Sequence, residues 1–325
     1  MKVVDMHCDT LYEIEEASIH NRDIHLLDND LNISFNKMKQ GDYLLQTFAV
    51  FTHLKRNEHP IRHVNRMIDH FYNELALNPD IHHVLSYKDI EEAIKHNHMC
   101  AMLSLEEGAV VDHDLAYLRN YYRLGVRMIT LTWNFENGIG HPNFKDGHGY
   151  HVCDKEHGLT DFGIEYVKEC ERLWIIIDVS HLSDAGFYDV LKYTTKPFVA
   201  SHSNARAVCD HARNLDDDMI RELAKRNGVM GINYAAGFLA EHETMDGRSK
   251  VEDMVKHILY IRDLVGIDYV GLGSDFDGIP QNLELKDASY MPMLYDALKD
   301  AGLSEEDIEK VFYKNVLRVF KDVLK

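Results

Sequence analysis

The segment "VVDMHCDT", residues 3 to 10, is a short β-branched run that ends in His7, Cys8 and Asp9. Side chains alternate faces along a strand, so His7 and Asp9 project to one side and Cys8 to the other. An imidazole and a carboxylate together at a strand end suit a metal ion, but they equally suit a solvated His–Asp pair, and one HxD does not separate the two. More residues of ligand type stand farther along: Glu106 and Glu107 in "SLEEG", His181 in "IDVSHLS", His202 in "SHSNAR" and Asp275 in "GLGSDFDG". Each has an ordinary explanation when taken alone. The glutamates cap a helix, His181 is a satisfied core histidine, and "SDFDG" is a turn.

What must position these residues is a recurring rhythm of short apolar runs and amphipathic segments, the pattern of parallel βα units. Eight runs are visible: residues 2–7, 44–50, 100–105, 126–132, 174–180, 197–201, 228–234 and 269–274. Between them, "DLAYLRNYYRLG", "SDAGFYDVLKYT", "DDMIRELAKRNG" and "VEDMVKHILYIRDLVG" carry apolar residues at three- and four-residue spacing, and several open on Ser or Asp and close on Gly. Near-continuous apolar strands are expected where helices cover both faces of a parallel sheet. Eight such units in 325 residues predict one (β/α)₈ TIM barrel, a single domain over residues 1–325 with C-terminal helices packed on the outside. A doubly wound open sheet is the competing fold. In a barrel the strands' C-terminal ends open on one face, where catalytic groups gather. His7 and Asp9 follow the first run, Glu106 and Glu107 the third, His181 the fifth, His202 the sixth and Asp275 the eighth. Their coincidence on one face outweighs the separate ordinary readings. The loop over residues 134–158, rich in Gly, Asn and His, is long enough to be functional and is expected to cover the site.

Electrostatics points the same way. Asp9, Glu106 and Asp275 converging on one mouth would repel, and taking an ion out of water without a partner costs several kcal/mol. A dication removes the repulsion. Imidazole and carboxylate without thiolate suit zinc and also allow manganese or cobalt. Three His, one Asp and one Glu exceed what a single catalytic metal takes, so two ions about 3.5–4 Å apart, bridged by the two oxygens of Glu106, fit better. The formal net charge of −19 argues against nucleic acid or an anionic membrane as partner. No apolar run has the length of a membrane span and no signal core precedes "KVVDMH", so a cytoplasmic protein is expected. Five widely spaced cysteines without a CxxC pair argue against a thiolate zinc site and a disulfide framework.

The motifs "DMHCDTL", "SLEEG", "LGVRMITLTWN", "IDVSHLS", "SHSNARAVCDHARN", "VGLGSDFDG" and "NVLRVF", in that order, resemble the zinc dipeptidases of the renal (membrane) dipeptidase family over nearly the whole chain. The resemblance implies a (β/α)₈ barrel of the metal-dependent hydrolase type with two Zn²⁺ ions per chain. His7 and Asp9 would hold one ion, Glu106 would bridge, and His181 and His202 would hold the other. It further places the binder of the substrate carboxylate at Arg213 in "HARN" and the family's catalytic acidic residue at Asp275, and it implies a homodimer. The expected reaction is attack of a metal-bridging hydroxide on a dipeptide, with Asp275 moving a proton to the leaving amine or holding the substrate's amino group.

Two positions depart from the pattern. Trp133 stands where the renal type has a His that polarises the carbonyl, with His141 and His148 as candidate replacements. Glu107 stands where the renal type has Gly, and a shift of one residue would exchange Glu106 for Glu107 as the bridge. The competing functions are a metal-dependent amidohydrolase for a cyclic amide or nucleobase, and a binding protein that keeps the metal cage without catalysis. Arg213, set for a carboxylate, argues against the first.

Overall fold

Each of the eight apolar runs forms a strand, and together they close into a barrel. The computed structural model describes residues 1–325 apart from Asp146 and His148. Its strands are β1 (Val3–Cys8), β2 (Tyr43–Phe51), β3 (Ile81–His83), β4 (Met99–Glu106), β5 (Val126–Thr130), β6 (Phe144–Lys145), β7 (Tyr150–His151), β8 (Ile176–Asp178), β9 (Val199–Ala200), β10 (Val229–Ile232) and β11 (Val270–Leu272). The sheet runs β2-β1-β11-β10-β9-β8-β5-β4, all parallel, and pairing of β2 with β4 from Leu45–Cys100 to Phe51–Glu106 closes it. The result is a (β/α)₈ barrel.

Two elements escape the sequence pattern. Strand β3 pairs with the base of β4, Ile81 opposite Met99 and His83 opposite Ala101, on the side that β5 takes over higher up. The β6–β7 hairpin lies inside the long loop, with Phe144 opposite His151.

The helices start where their caps predict. Asp114, Ser183 and Asp216 each accept a backbone N–H from the first turn of the helix that follows (Leu115–Arg123, Asp184–Tyr193 and Asp217–Lys225). The helix Val251–Val265 ends at Gly266, whose φ of 101° is free of strain only without a side chain. Among the described residues no helix is long and apolar enough to cross a membrane.

The strands bury both faces. Leu103, Leu105, Ile129 and Ile177 join the helices in the outer apolar layer. Met6, Leu45, Met102, Met128, Ile176 and Val229 share a second cluster with Val316, Val319, Phe320 and Val323 of the C-terminal helix Asn315–Val323. That helix sits at the strands' N-terminal ends: Asn315 Nδ2 donates to the carbonyls of Ile267 and Val270, at 2.7 and 2.9 Å, and Arg318 to those of Asn227 and Asp268, just ahead of β10 and β11. The opposite end is left to the polar residues.

Replacing a fully buried Phe by Ala removes its transfer energy and leaves a cavity, costing about 3–5 kcal/mol. Phe320→Ala should therefore lower the denaturant midpoint by that equivalent, read by circular dichroism. A loss under about 1 kcal/mol would mean that the C-terminal helix does not support the barrel.

Candidate active site

His7 is the hub of the barrel's C-terminal end. Its fully buried Nε2 lies 3.3 Å from Asp9 Oδ2, 3.3 Å from Glu106 Oε2 and 3.7 Å from Asp275 Oδ1. The other oxygen of Glu106, Oε1, lies 3.3 Å from His181 Nε2 and 3.7 Å from His202 Nε2. These two Nε2 atoms are 3.1 Å apart, and the His202 ring stacks on that of His7 at 3.9 Å. The fold thus brings His7, Asp9, Glu106, His181, His202 and Asp275 together from five strand ends.

The rings are aimed from behind. His181 Nδ1 meets Asn134 Oδ1 at 2.9 Å, and His202 Nδ1 meets Ser201 Oγ at 2.7 Å. Ser201 in turn donates to Asp178, which also accepts from Thr130 Oγ1 and from the backbone N–H groups of Ser180 and Ser201. With each Nδ1 engaged, both Nε2 atoms are directed at Glu106. Asp275 is held by Asn233 Nδ2, which donates to Oδ2 at 2.8 Å and leaves Oδ1 toward His7. His181 and Asp275 have φ of 68° and 63°, a strained backbone that side-chain-bearing residues adopt mainly where the surroundings enforce it.

Glu106 and Glu107 part at the end of β4. Glu107 takes φ of 79° and turns away, accepting the backbone N–H of Ala109 at 3.2 Å and of Trp133 at 3.3 Å, and the Asn137 amide. Glu106 alone faces the histidines. Burial pushes the Glu107 carboxyl up to about 7, against these three hydrogen bonds.

The charges are frustrated. Burial pushes the His7 imidazole down, but Glu106 and Asp9 outweigh it and hold it well above the ordinary range. Burial raises Asp9, with Glu106 adding to the shift. Burial likewise pushes Asp275 up to about 7, where the charge of His7 opposes and those of Asp9 and Glu106 reinforce it. His181 and His202 are held well below the ordinary range, by burial first and then by Arg213 and His7. Neutral imidazole is the form that binds metal.

A divalent cation fits these residues. Among the described residues, Nδ1 of His7 and Oδ1 of Asp9 are buried without a hydrogen-bond partner, and Nε2 of His7 forms no well-aligned hydrogen bond despite its two carboxylate neighbours, which is uncommon for buried polar atoms. His7, Glu106 and His202, and again His7, Asp9 and Asp275, each bring ligand atoms within 4.8 Å of one another. All are nitrogen or oxygen donors. Cys8 lies in the outer apolar layer, with Thr10 Oγ1 at 3.5 Å from its sulfur.

Above these residues lies a cavity of about 380 Å³ with Asp9, Glu106, His181 and Asp275 at its base. Arg213 is buried beside it: Nη2 donates to the His202 carbonyl at 3.2 Å and Nη1 to Ser203 Oγ at 3.4 Å, while Nε has no partner among the described residues. Its neighbour Arg206 is already committed, with two 2.8 Å bonds to Asp184. Among the described residues no carboxylate pairs with Arg213. Burial pushes its guanidinium down to about 10, against the pull of Asp275 and Glu106.

The long loop contributes otherwise than expected. His141 turns to Glu136, 3.3 Å away, and is not among the cavity walls. His148 lies outside the described residues. His151 of β7, which the sequence pattern did not single out, lines the cavity, as does Asn134, which follows Trp133 in "LTWN".

A parallel barrel with imidazoles and carboxylates at its C-terminal mouth defines a metal-dependent hydrolase. The chain belongs to the membrane dipeptidase family (peptidase family M19), which it matches over residues 1–325. An uncharacterized dipeptidase of Schizosaccharomyces pombe is 32% identical over 338 residues, covering 98% of this chain and 80% of that one. Among solved structures, a metallopeptidase of Rhodobacter sphaeroides bearing a phosphinate mimic of the dipeptide L-Ala-D-Ala aligns over 99% of both chains, with 26% identity and a TM-score of 0.88. A dipeptidase of the same family aligns over 100% of this chain and 99% of that one, with 27% identity and a TM-score of 0.89.

Gly278 lies tight against the cluster: a Cβ there would stand 2.1 Å from Asp9 Oδ2 and 2.8 Å from Asp275 Oδ1. Gly278→Ala should displace both carboxylates and cut metal retained after dialysis on the order of tenfold or more, while circular dichroism stays unchanged. Full metal retention would show that neither carboxylate needs its present position.

Proposed function

We propose that this chain hydrolyses dipeptides with two zinc ions bridged by Glu106. The observation that carries the reading is the division of the Glu106 carboxylate, one oxygen toward His7 and the other toward His181 and His202. His7 and Asp9 would hold one ion with Oε2, and His181 and His202 the other with Oε1. Zinc bound there would lower the pKa of water to about 7 and would polarise the scissile carbonyl.

The chain's own residues do the rest. Arg213 fixes the terminal carboxylate, exchanging its weak contacts to Ser203 and the His202 carbonyl for charge-assisted bonds. The peptide carbonyl then rests over Glu106. Asp275, anchored through Oδ2, takes the proton of the attacking water on Oδ1 and hands it to the leaving nitrogen as the C–N bond breaks. No side chain serves as nucleophile. Recognition of the substrate at its carboxylate, in a cavity of this size, favours two-residue substrates.

Turnover of L,L- and L,D-dipeptides should vanish after chelation and return with about two equivalents of Zn²⁺ per chain. Tripeptides should be cleaved far more slowly. Equal cleavage of tripeptides, or turnover indifferent to chelator, would sink the reading.

Lys offers a point charge where Arg offers a planar fork. Arg213→Lys should therefore raise KM on the order of ten- to hundredfold with zinc content unchanged, from the loss of a charged hydrogen-bond pair. An unaltered KM would remove Arg213 from substrate binding.

A further inference from the structure

The cavity has two unlike sides. Around the barrel, β9, which leads into Arg213, stands four strands from β2 in either direction, so β2 is diametrically opposite the guanidinium. On that far side Phe51 ends β2, flanked by Tyr12 with ring centroids 5.4 Å apart and by Trp133 at 5.1 Å. Phe135 backs the indole at 5.3 Å, and Glu107 holds the Trp133 backbone N–H. Tyr12, Phe51 and Trp133 are each half-buried and line the cavity, so their remaining exposed surface faces whatever enters. The wall is built in advance, on a strand end and a buried carboxylate.

We propose that this aromatic wall receives the side chain of the substrate's N-terminal residue, and that Trp133 sets a preference for large apolar or aromatic residues there. The inference rests on the dipeptidase reading above. With the carboxylate at Arg213 and the peptide bond over Glu106, the N-terminal residue has to extend toward the ends of β1, β2 and β5, which carry Tyr12, Phe51 and Trp133. Its side chain then exchanges water for three aromatic surfaces, a gain that a methyl group collects only in small part.

The zinc-loaded wild type, Trp133→Ala and Trp133→Phe are to be compared on L-Phe-L-Ala, L-Ala-L-Ala and L-Ala-L-Phe, with calorimetric binding of the phosphinate analogues of the first two. In the wild type kcat/KM should favour Phe-Ala over Ala-Ala on the order of ten- to hundredfold, with the same ordering in Kd of the analogues. Trp133→Ala should bring both ratios to within about threefold of unity, and Trp133→Phe should keep most of the preference. Dipeptide cleavage with a ratio near one, a ratio unmoved by Trp133→Ala, or a larger gain for Ala-Phe than for Phe-Ala overturns the inference and leaves the dipeptidase reading standing. Neither turnover nor analogue binding overturns both.

Discussion

Everything at the barrel mouth answers to the burial of like charges around one imidazole. Three carboxylates reach within 3.7 Å of His7 Nε2, and Glu106 also faces two further imidazoles. At an effective dielectric constant near 20, two unit charges about 4 Å apart interact by about 4 kcal/mol, so the cluster is far from indifferent to what neutralises it. The same crowding shows in the titration: Glu106 and Asp9, against burial, hold His7 above its ordinary range, while burial, reinforced by the neighbouring carboxylates, raises Asp9 and Asp275. Two dications, as proposed, satisfy the same carboxylates without placing a proton on His7. The arrangement is thus costly to the fold and useful to a metal, the trade seen wherever function overrides local stability.

The scaffold absorbs that cost by rigidity. Glu107, His181, Asp275 and Asp277 all have positive φ, at 79°, 68°, 63° and 67°, and all lie at or just beyond strand ends on the mouth. Residues in such regions cost about 1–3 kcal/mol each and persist only when their surroundings over-determine them. Each has such surroundings. Glu107 accepts three hydrogen bonds, and Asp277 accepts from Thr10 Oγ1 and from the N–H groups of Asn32 and Ile33. Asp275 is fixed by Asn233 and His181 by Asn134. The apolar layers and the C-terminal helix close the other end, so strain and solidity are separated along the barrel axis.

The barrel was legible in the sequence because its strands are buried on both faces and therefore read as unbroken apolar runs. The metal-type residues were legible because polar residues at the ends of such runs are conspicuous. Other parts were hidden for physical reasons. Strand β3 has only three residues, two of them His, and its pairing with β4 depends on a partner far along the chain. Asp178 and Ser201 sit within apolar runs, and their role in aiming His202 exists only once β8 and β9 are adjacent. The choice between Glu106 and Glu107 turned on one left-handed residue, which sequence does not display. His151 reaches the cavity through a hairpin of two-residue strands, inside a loop whose length and composition forecast that it would cover the site but not which residue would reach it.

Arg213 ties the electrostatics of the two halves of the site together. Its buried charge acts, after burial itself, to hold His181 neutral, and with the charge of His7 it does the same for His202. It also contributes, again after burial, to holding the cavity-lining His151 down at about 3. Neutral rings are competent ligands, so the guanidinium proposed to take the substrate carboxylate also keeps the imidazoles beside it ready for metal. At the opposite wall burial and then the carboxylates of Glu16 and Glu13 push the Tyr12 hydroxyl up, against Arg56.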